Sequence, residues 1–271
     1  FRVRMQSKVS AATRIEVVTE GVFTRQILAD PELAGVACVI FDEFHERSLD
    51  ADLGLALARD AQGLLREDLR ILVMSATLDG AAVARLLDPD TAEGAPVIES
   101  LGRAFPVETH YLGRDERLRL EDRVVRAVER ALAQETGSLL VFLPGQGEIL
   151  RTAERLAERA RPDVEIAPLY GALDPRDQDR AIAPAPSGKR KVVLATSIAE
   201  TSLTIQGVRV VIDAGQARVP RFDPASGLTR LATVRVSRAA ADQRRGRAGR
   251  TEPGVCYRLW DEAETRALPA Y

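Results

Sequence analysis

Val36-Ala37-Cys38-Val39-Ile40-Phe41 is an apolar run that is followed directly by Asp42-Glu43-Phe44-His45-Glu46-Arg47. Six apolar residues are too few to cross a membrane, and Gly35 and a burst of charge bound them. We therefore predict a strand that is buried on both faces of a parallel sheet. Because ligands of open α/β sheets bind outside the carboxyl ends of the strands, the sequence predicts Asp42 and Glu43 at a ligand-binding edge.

Two adjacent carboxylates at such an edge can take two different roles. Mg²⁺ prefers oxygen ligands, so Asp42 can hold the ion, while Glu43 can orient and deprotonate a water molecule. The alternative is a strand that ends in a solvated acidic turn. The segment by itself leaves both interpretations open.

Composition limits the class of protein. At 271 residues the chain has room for one large domain or two ordinary ones, and 45% of its residues are hydrophobic, as in globular proteins. No apolar run is long enough for a membrane-spanning helix, and no signal peptide opens the sequence. Because Phe1 begins the chain without a Met, we expect a fragment. Cys38 and Cys256 form no metal or disulfide spacing, which favours a cytoplasmic protein.

Charge is distributed unevenly along the chain. Residues 209–250 hold ten arginines and three aspartates, whereas residues 42–60 hold six acids and two arginines. This division favours an anion-binding surface on one part and metal-binding carboxylates on another, although the charges can also simply solvate helices.

Three further segments of the first hundred residues carry patterns. Ile15–Thr19 predicts a strand, and Thr19-Glu20-Gly21 then begins a helix whose N-terminus can bind phosphate. Ser48 predicts the N-cap of a helix in which Leu49, Leu53 and Leu57 recur every fourth residue. Leu69–Met74 predicts another buried strand, and the hydroxyls of Ser75 and Thr77 at its end can contact the carboxylates or His45.

A second α/β unit is predicted after a segment rich in glycine and proline, Thr91–Arg114, which reads as a domain boundary. It holds a helix near Leu118–Ala133, a helix over Glu148–Ala160 and a hairpin that turns at Pro224–Gly227. The expected strands are Ser138–Leu143, Ile166–Tyr170, Lys191–Ala195 and Val208–Ile212. The hydroxyl-rich segment Thr196–Thr204 follows one of them and can contact a phosphodiester backbone.

Gln243-Arg244-Arg245-Gly246-Arg247-Ala248-Gly249-Arg250 is the most basic segment. If Ser237 caps a helix, Gln243, Arg247 and Arg250 share one face at i, i+4 and i+7. Aligned guanidinium groups suit phosphate, and an arginine finger offsets the charge that develops in phosphoryl transfer. Contact with solvent or with a nucleic-acid backbone is the alternative. Gly246 and Gly249 favour a close approach to another surface.

Ser187-Gly188-Lys189-Arg190 resembles the end of a phosphate-binding loop, but the pattern fails. Ala183 stands where the first glycine belongs, and Arg190 replaces the Ser or Thr that contacts Mg²⁺. The 271 residues contain no other candidate for such a loop.

Taken together, these segments resemble the DEAH-box branch of superfamily 2 helicases, with six motifs in the family's order along essentially the whole chain. Thr19–Gly21 resembles motif Ib, Asp42–His45 motif II and Ser75–Thr77 motif III. Leu140–Ile149, Ala195–Gly207 and Gln243–Arg250 resemble motifs IV, V and VI. The sequence departs from the family pattern at four positions. Phe44 stands where the family has Ala, and the other departures are Ser197, Gln206 and Arg245.

The resemblance implies an α/β fold of two RecA-like domains with parallel sheets flanked by helices. We expect residues 1–104 to form the C-terminal part of the first domain, 105–117 a linker and 118–271 the second domain. It also implies that the phosphate-binding loop precedes Phe1 and that further domains follow Tyr271. ATP and Mg²⁺ are the implied cofactors, and a single strand of nucleic acid is the implied partner, with RNA favoured over DNA and both left open.

The resemblance assigns a role to each candidate residue. Asp42 would hold Mg²⁺, Glu43 would activate water, Gln243 would place that water, and Arg247 and Arg250 would reach the γ-phosphate. His45, Ser75 and Thr77 would couple the site to domain movement. Contacts to the nucleic-acid backbone are expected from Thr19, Arg25, Gln146 and Thr196.

Three functions of different classes follow from this sequence. The first is the core of an ATP-dependent helicase that moves along a strand. The second is a nucleic-acid-binding module without catalysis, and the third is an NTP-driven switch that remodels a protein partner without unwinding.

Overall fold

A computed structural model describes residues 1–3, 6–75, 80–100, 105–159, 161–200, 205–224 and 227–269. The chain divides into two compact units, Phe1–Leu101 (unit 1) and Gly102–Tyr271 (unit 2). No helix within the described ranges combines the length and the apolar character needed to cross a membrane.

Unit 1 is a small parallel sheet covered by helices. In chain order its elements are β1 (Arg2–Val3), β2 (Gln6–Ser7), α1 (Glu20–Ala29), β3 (Cys38–Phe41), α2 (Leu49–Leu64), β4 (Arg70–Val73) and α3 (Gly80–Leu87). Strands β3 and β4 pair in parallel, with Cys38 opposite Arg70 and Phe41 opposite Val73. Val39 and Phe41 belong to a core with Ile27 of α1 and Leu55 of α2.

The predicted burial of β3 on both faces is wrong. Val39 and Phe41 are buried, whereas Cys38 is exposed and Ile40 is 55% exposed. Leu72, the partner of Ile40 on β4, is also exposed, so the predicted buried strand Leu69–Met74 is likewise covered on one side. The reason is that the core of unit 1 takes side chains from one face of the sheet.

The predicted strand Ile15–Thr19 is reduced to one bridge. Val18 pairs with Arg2, and the Arg2 N–H donates to the Val17 carbonyl over 2.8 Å, while Ile15 and Val17 are exposed. A segment that pairs through one isolated bridge does not form the ladder of hydrogen bonds that defines a strand. The helix predicted after Thr19 is confirmed as α1, with Thr19 as its N-cap residue.

Ser48 caps α2 as predicted, because its hydroxyl accepts a hydrogen bond from the Ala51 N–H over 3.0 Å. The leucine pattern does not mark the buried face, since Leu49 is 84% exposed. The buried face instead consists of Leu55 and four small residues, Ala51, Gly54, Ala58 and Ala61. A Cβ on Gly54 would lie 3.1 Å from the Phe23 ring, so this helix packs closely through its small residues.

Unit 2 contains a six-stranded parallel sheet with helices on both faces, and a separate antiparallel hairpin. The strands of the parallel sheet are β5 (Val107–Tyr111), β6 (Ser138–Phe142), β7 (Val164–Leu169), β8 (Arg190–Ala195), β9 (Val208–Asp213) and β12 (Gly254–Arg258), and the hairpin is formed by β10 (Gln216–Asp223) and β11 (Leu228–Arg235). The helices of unit 2 are α4 (Leu120–Gln134), α5 (Gln146–Ala157), α6 (Pro175–Ile182), α7 (Arg238–Gly246) and α8 (Glu262–Arg266). The order across the sheet is β5-β12-β9-β6-β8-β7.

Strand β6 lies at the centre of two cores. Leu139 and Val141 pack with residues of α4 and α5, whereas Leu140 and Phe142 pack with Ala181 of α6 on the opposite face. Every residue of β6 is buried. The predicted α/β class, a parallel sheet flanked by helices, is therefore confirmed.

The segment predicted as a linker, 105–117, contains β5. Val107–Tyr111 pairs in parallel with β12, from Val107 opposite Gly254 to Tyr111 opposite Arg258. The glycines and prolines around β5 favoured the prediction of a linker, and its partner β12 lies more than 140 residues away in the sequence. The predicted hairpin is confirmed, since β10 and β11 are antiparallel, although two residues of its turn, 225 and 226, lie outside the described part.

Candidate active site

The acidic candidates lie directly after β3. Asp42 and Glu43 are both exposed, and the Asp42 carboxylate accepts a hydrogen bond from the Glu43 N–H over 2.9 Å. The Phe44 N–H donates to the Met74 carbonyl over 3.0 Å, and the Met74 N–H donates to the Phe41 carbonyl over 2.8 Å. Main-chain hydrogen bonds to the neighbouring strand thus hold the two carboxylates at the sheet edge.

Glu43 has a left-handed backbone with φ 50° and ψ 34°. For a residue other than glycine this conformation costs roughly 1–2 kcal/mol. A short 3₁₀ turn, Phe44–Glu46, follows, and Arg47 closes it with a second positive φ of 48°. The reversal sends Phe44 into the core of unit 1, where it packs edge-on against Phe41, while Asp42 and Glu43 face solvent.

The side chain of His45 joins this acidic turn. Its Nδ1 lies 3.4 Å from Glu43 Oε2, and its ring is almost fully buried. The His45 imidazole therefore lies next to the candidate base, where it can orient the Glu43 carboxylate. Ser75 is exposed just after β4 and Met74, whereas Thr77 lies outside the described residues.

Asp42 fits a magnesium ion by its chemistry and its exposure. The described residues hold no group of three or more His, Cys, Asp or Glu side chains that could enclose a metal. Mg²⁺ is usually bound through one or two carboxylates, with water and substrate phosphates as its other ligands, so a single exposed aspartate at a strand end suits it.

The basic candidates lie in unit 2, on and after α7. Ser237 caps α7 as predicted, accepting from the Ala240 N–H over 3.1 Å. The helix ends at Gly246, and a 3₁₀ turn, Arg247–Gly249, follows. The α-helix is therefore shorter than the predicted face of Gln243, Arg247 and Arg250 requires, and the two arginines lie on the 3₁₀ turn and at its end.

Burial separates the two predicted finger arginines. Arg247 is 6% exposed and its guanidinium donates to the Glu200 carbonyl, whereas Arg250 is exposed. A Cβ on Gly249 would lie 2.6 Å from the Phe105 carbonyl oxygen, which confirms the predicted close approach there. For Gly246 the close approach stays a prediction, since a Cβ on it would meet no atom of the described residues within 4 Å.

Arg244 is a buried residue to which the sequence patterns assigned no role. Its guanidinium contacts Glu200 and Asp213, and its carbon lies 4.9 Å from the centre of the Phe142 ring. Burial lowers the pKa of Arg244, but the carboxylates of Asp213 and Glu200 more than compensate and raise that pKa above its ordinary value.. Its partners Glu200 and Asp213 are distant in the sequence. The only indication of Arg244 in the sequence is therefore the pair of adjacent arginines in Gln243-Arg244-Arg245.

The four predicted nucleic-acid contacts lie at the ends of elements. Thr19 is the exposed N-cap residue of α1, and the Arg25 Nε, one turn further, donates to the Gly21 carbonyl over 3.0 Å. Gln146 is the exposed first residue of α5. Thr196 is half-buried just after β8.

Comparison with known proteins supplies the family context. Residues 122–252 match the Helicase conserved C-terminal domain. The chain is 58% identical over 259 residues to the ATP-dependent RNA helicase HrpB of Escherichia coli strain K12, a match that covers 96% of this chain and 31% of that protein. It is 39% identical over 272 residues to the pre-mRNA-splicing factor ATP-dependent RNA helicase prp22 of Schizosaccharomyces pombe, covering 98% of this chain and 23% of that protein.

Solved structures match the fold of the whole chain. A crystal structure of the Escherichia coli DEAH/RHA helicase HrpB superposes with a TM-score of 0.91 at 56% sequence identity, covering 99% of this chain and 34% of that one. The chain therefore spans about a third, or less, of the length of these relatives.

Proposed function

We propose that this chain, which belongs to the DEAH-box helicases, is the core of an ATP-dependent RNA helicase that couples ATP hydrolysis to movement along a strand. Because the chain spans at most about a third of its relatives, the activity is proposed for the whole protein. Its domains are proposed as 1–104 and 118–271, with β5 of the segment between them as an edge strand of the second domain, and its location as the cytoplasm.

The observation that carries this proposal is the acidic turn after β3. Asp42 and Glu43 are exposed at the carboxyl end of a parallel strand, and Glu43 is held in a strained conformation with His45 beside it. Strained residues persist only where the surrounding structure holds them, and they cluster at functional sites. We assign Mg²⁺ binding to Asp42 and activation of the attacking water to Glu43, with His45, Ser75 and Thr77 as coupling residues.

The basic residues of unit 2 are assigned to the phosphates. Gln243 would help to place the water, and Arg247 and Arg250 would offset the negative charge that develops on the γ-phosphate. When bound, ATP and Mg²⁺ supply the phosphoryl group and the charge that polarises it. The protein's own contribution is to position these side chains and to remove a proton from water at the Glu43 carboxylate.

RNA is proposed as the strand, because the relatives that match this chain are named as RNA helicases. Thr19, Arg25, Gln146 and Thr196 are proposed to contact its backbone. Hydroxyl, amide and guanidinium groups bind phosphates without reading bases, so the proposal implies little sequence preference.

The test is ATP hydrolysis by the full-length protein with and without single-stranded RNA, comparing wild type with Glu43→Gln. We expect the variant to keep its fold and to lose roughly 10²- to 10⁴-fold in kcat, because the carboxylate that takes the proton is gone. Glu67→Gln is the matched control, since Glu67 is an exposed acid of the same unit far from the acidic turn in sequence. Equal rates for wild type and Glu43→Gln would refute the proposal.

Two further measurements separate the competing functions. RNA binding without hydrolysis in the wild type would favour a binding module, and RNA-stimulated hydrolysis without strand displacement would favour a remodelling switch. DNA of the same sequence as the RNA tests the choice of strand, and stronger stimulation by DNA would contradict it.

A further inference from the structure

Arg244 is the centre of a buried cluster of charges in unit 2. Its Nε donates to Glu200 Oε1 over 2.7 Å, and its Nη1 donates to Asp213 Oδ1 over 2.8 Å and to the Gln216 carbonyl over 3.2 Å. Arg244 and Asp213 are each 0% exposed. Several partners on different edges of one guanidinium fix its plane, which a single ion pair would not do.

Besides Gln216, which begins β10, three residues that contact Arg244 lie at or just after the ends of neighbouring strands. Phe142 is the last residue of β6, Asp213 is the last residue of β9, and Glu200 follows the 3₁₀ turn, Ser197–Ala199, at the end of β8. Arg244 itself belongs to α7. One side chain therefore ties α7 to the carboxyl ends of three adjacent strands, which is the edge where ligands of parallel sheets bind.

Glu200 contacts two arginines through two different groups. Its carboxylate receives Arg244, and its main-chain carbonyl receives the guanidinium of Arg247. A displacement of the Glu200 main chain would consequently move one acceptor of the Arg247 guanidinium. The same residue lies four positions after Thr196, so it links the proposed RNA contact to the proposed finger arginine.

We propose that Arg244 is a positioning residue for ATP hydrolysis, which holds Glu200 in the place from which the Glu200 carbonyl orients Arg247. This inference rests on the proposed function, because it requires Arg247 to act on a phosphate. Arg244 itself is buried and acts through its neighbours.

The most informative variant is Arg244→Lys, which keeps the positive charge and loses the planar guanidinium group. A lysine ammonium cannot bind Glu200 and Asp213 on two edges at once, so Glu200 gains freedom. We expect kcat for RNA-stimulated ATP hydrolysis by the full-length protein to fall roughly 10- to 100-fold, with a smaller change in KM, because small misplacements of catalytic groups have effects of that size. Glu200→Gln keeps the side-chain volume and is expected to act in the same direction.

The decisive measurement is a double-mutant cycle with Arg247. If Arg244 acts through Arg247, Arg244→Lys should change kcat less than about twofold in the Arg247→Ala background. A loss of the same size in both backgrounds would overturn the inference. Glu200→Gln allows the same cycle if Arg244→Lys does not fold.

Arg258→Lys is the matched structural control. Arg258 is also buried and also anchors α7, since it donates to the Ala241 carbonyl over 3.1 Å and to Asp242 over 2.9 Å, but it contacts neither Glu200 nor Arg247 in the described hydrogen bonds. We expect it to lower the melting temperature while leaving kcat within about twofold. An equal loss of kcat in this control would overturn the inference, whereas wild-type protein without ATPase activity would refute the proposed function instead.

Discussion

Strands β3 and β6 are apolar segments of similar length that lie in very different surroundings. In β6 the side chains on both faces are buried, because α4 and α5 cover one face and α6 lies over the other. In β3 the side chains alternate between buried Val39 and Phe41 and exposed Cys38 and Ile40. An apolar run therefore predicts that a strand belongs to a sheet, but the number of helices packed against that sheet decides whether both faces are covered.

The two groups of candidate residues differ in a parallel way. In unit 1, Glu43 is exposed and its position depends on main-chain conformation, with φ at 50°. In unit 2, Arg244 and Arg247 are buried and their positions depend on other side chains and carbonyls from distant parts of the chain. Local backbone geometry and main-chain hydrogen bonds to Met74 position the first group, whereas side-chain contacts between separate strands position the second.

The largest effect on stability should come from replacing one side chain of each strand by alanine. Leu140→Ala removes a side chain that is 1% exposed and leaves a cavity, so unit 2 should lose about 2–5 kcal/mol of unfolding free energy. Ile40→Ala removes a side chain that already faces solvent and should cost about 1 kcal/mol or less in unit 1.

Each unit offers its own signal for this measurement. Trp260, the only tryptophan of the sequence, is buried in unit 2 and reports its urea unfolding by fluorescence. Hydrogen exchange of peptides spanning β3 reports unit 1. If Ile40→Ala cost as much as Leu140→Ala, the exposed face of β3 would be covered in solution and the contrast between the strands would fail.

Local patterns in the sequence predicted much of the fold. The predicted strand Lys191–Ala195 is found as β8, Arg190–Ala195, and the caps at Ser48 and Ser237 form as expected. These features depend on neighbouring residues, because residues within a few positions of each other determine a helix cap or a buried apolar run.

Features that depend on distant residues were missed. Strand β5 pairs with β12 across most of unit 2, and Arg244 meets partners 31 and 44 residues before it, Asp213 and Glu200. The end of α7 at Gly246 and the tight packing of Gly249 against Phe105 were also missed, and Phe105 is far from Gly249 in the sequence. For the same reason the arginine periodicity alone predicted a longer helix.

The second prediction concerns the strained turn of unit 1. Among the described residues other than glycine, positive φ angles occur at Leu33, Glu43 and Arg47. Glu43→Gly should raise the unfolding free energy of unit 1 by up to about 1 kcal/mol, because glycine adopts this conformation without strain. The same variant should lose ATP hydrolysis, since the carboxylate is absent.

Glu67→Gly is the control for backbone strain. Glu67 is exposed in a turn and has a negative φ, so glycine there adds freedom to the unfolded chain and should cost stability by up to about 1 kcal/mol. Hydrogen exchange of unit 1 peptides measures both variants. A loss of stability in Glu43→Gly equal to that in Glu67→Gly would show that the turn stores no strain.

The smallest expected effect is a pH dependence that differs between the units. In unit 2, burial by itself raises the pKa of the Glu121 carboxyl, but main-chain hydrogen bonding and the Arg151 guanidinium, whose Nε lies 2.6 Å from Glu121 Oε1, hold that pKa below its ordinary value of 4.5. The ionised carboxylate therefore stabilises the folded state above pH 4.5, and this stabilisation is lost as the pH falls through the lower folded-state pKa.

In unit 1, the Arg66 guanidinium likewise lowers the pKa of Asp68, but Asp68 is largely exposed and solvent screens the pair. We therefore expect Glu121→Gln to flatten the fall in unfolding free energy as the pH drops below 4.5, and Asp68→Asn to change that fall less. Urea unfolding at a series of pH values, followed by Trp260 fluorescence for unit 2 and hydrogen exchange for unit 1, measures both slopes. An equal flattening by the two variants would mean that the exposed pair of unit 1 contributes as much as the buried carboxylate of unit 2.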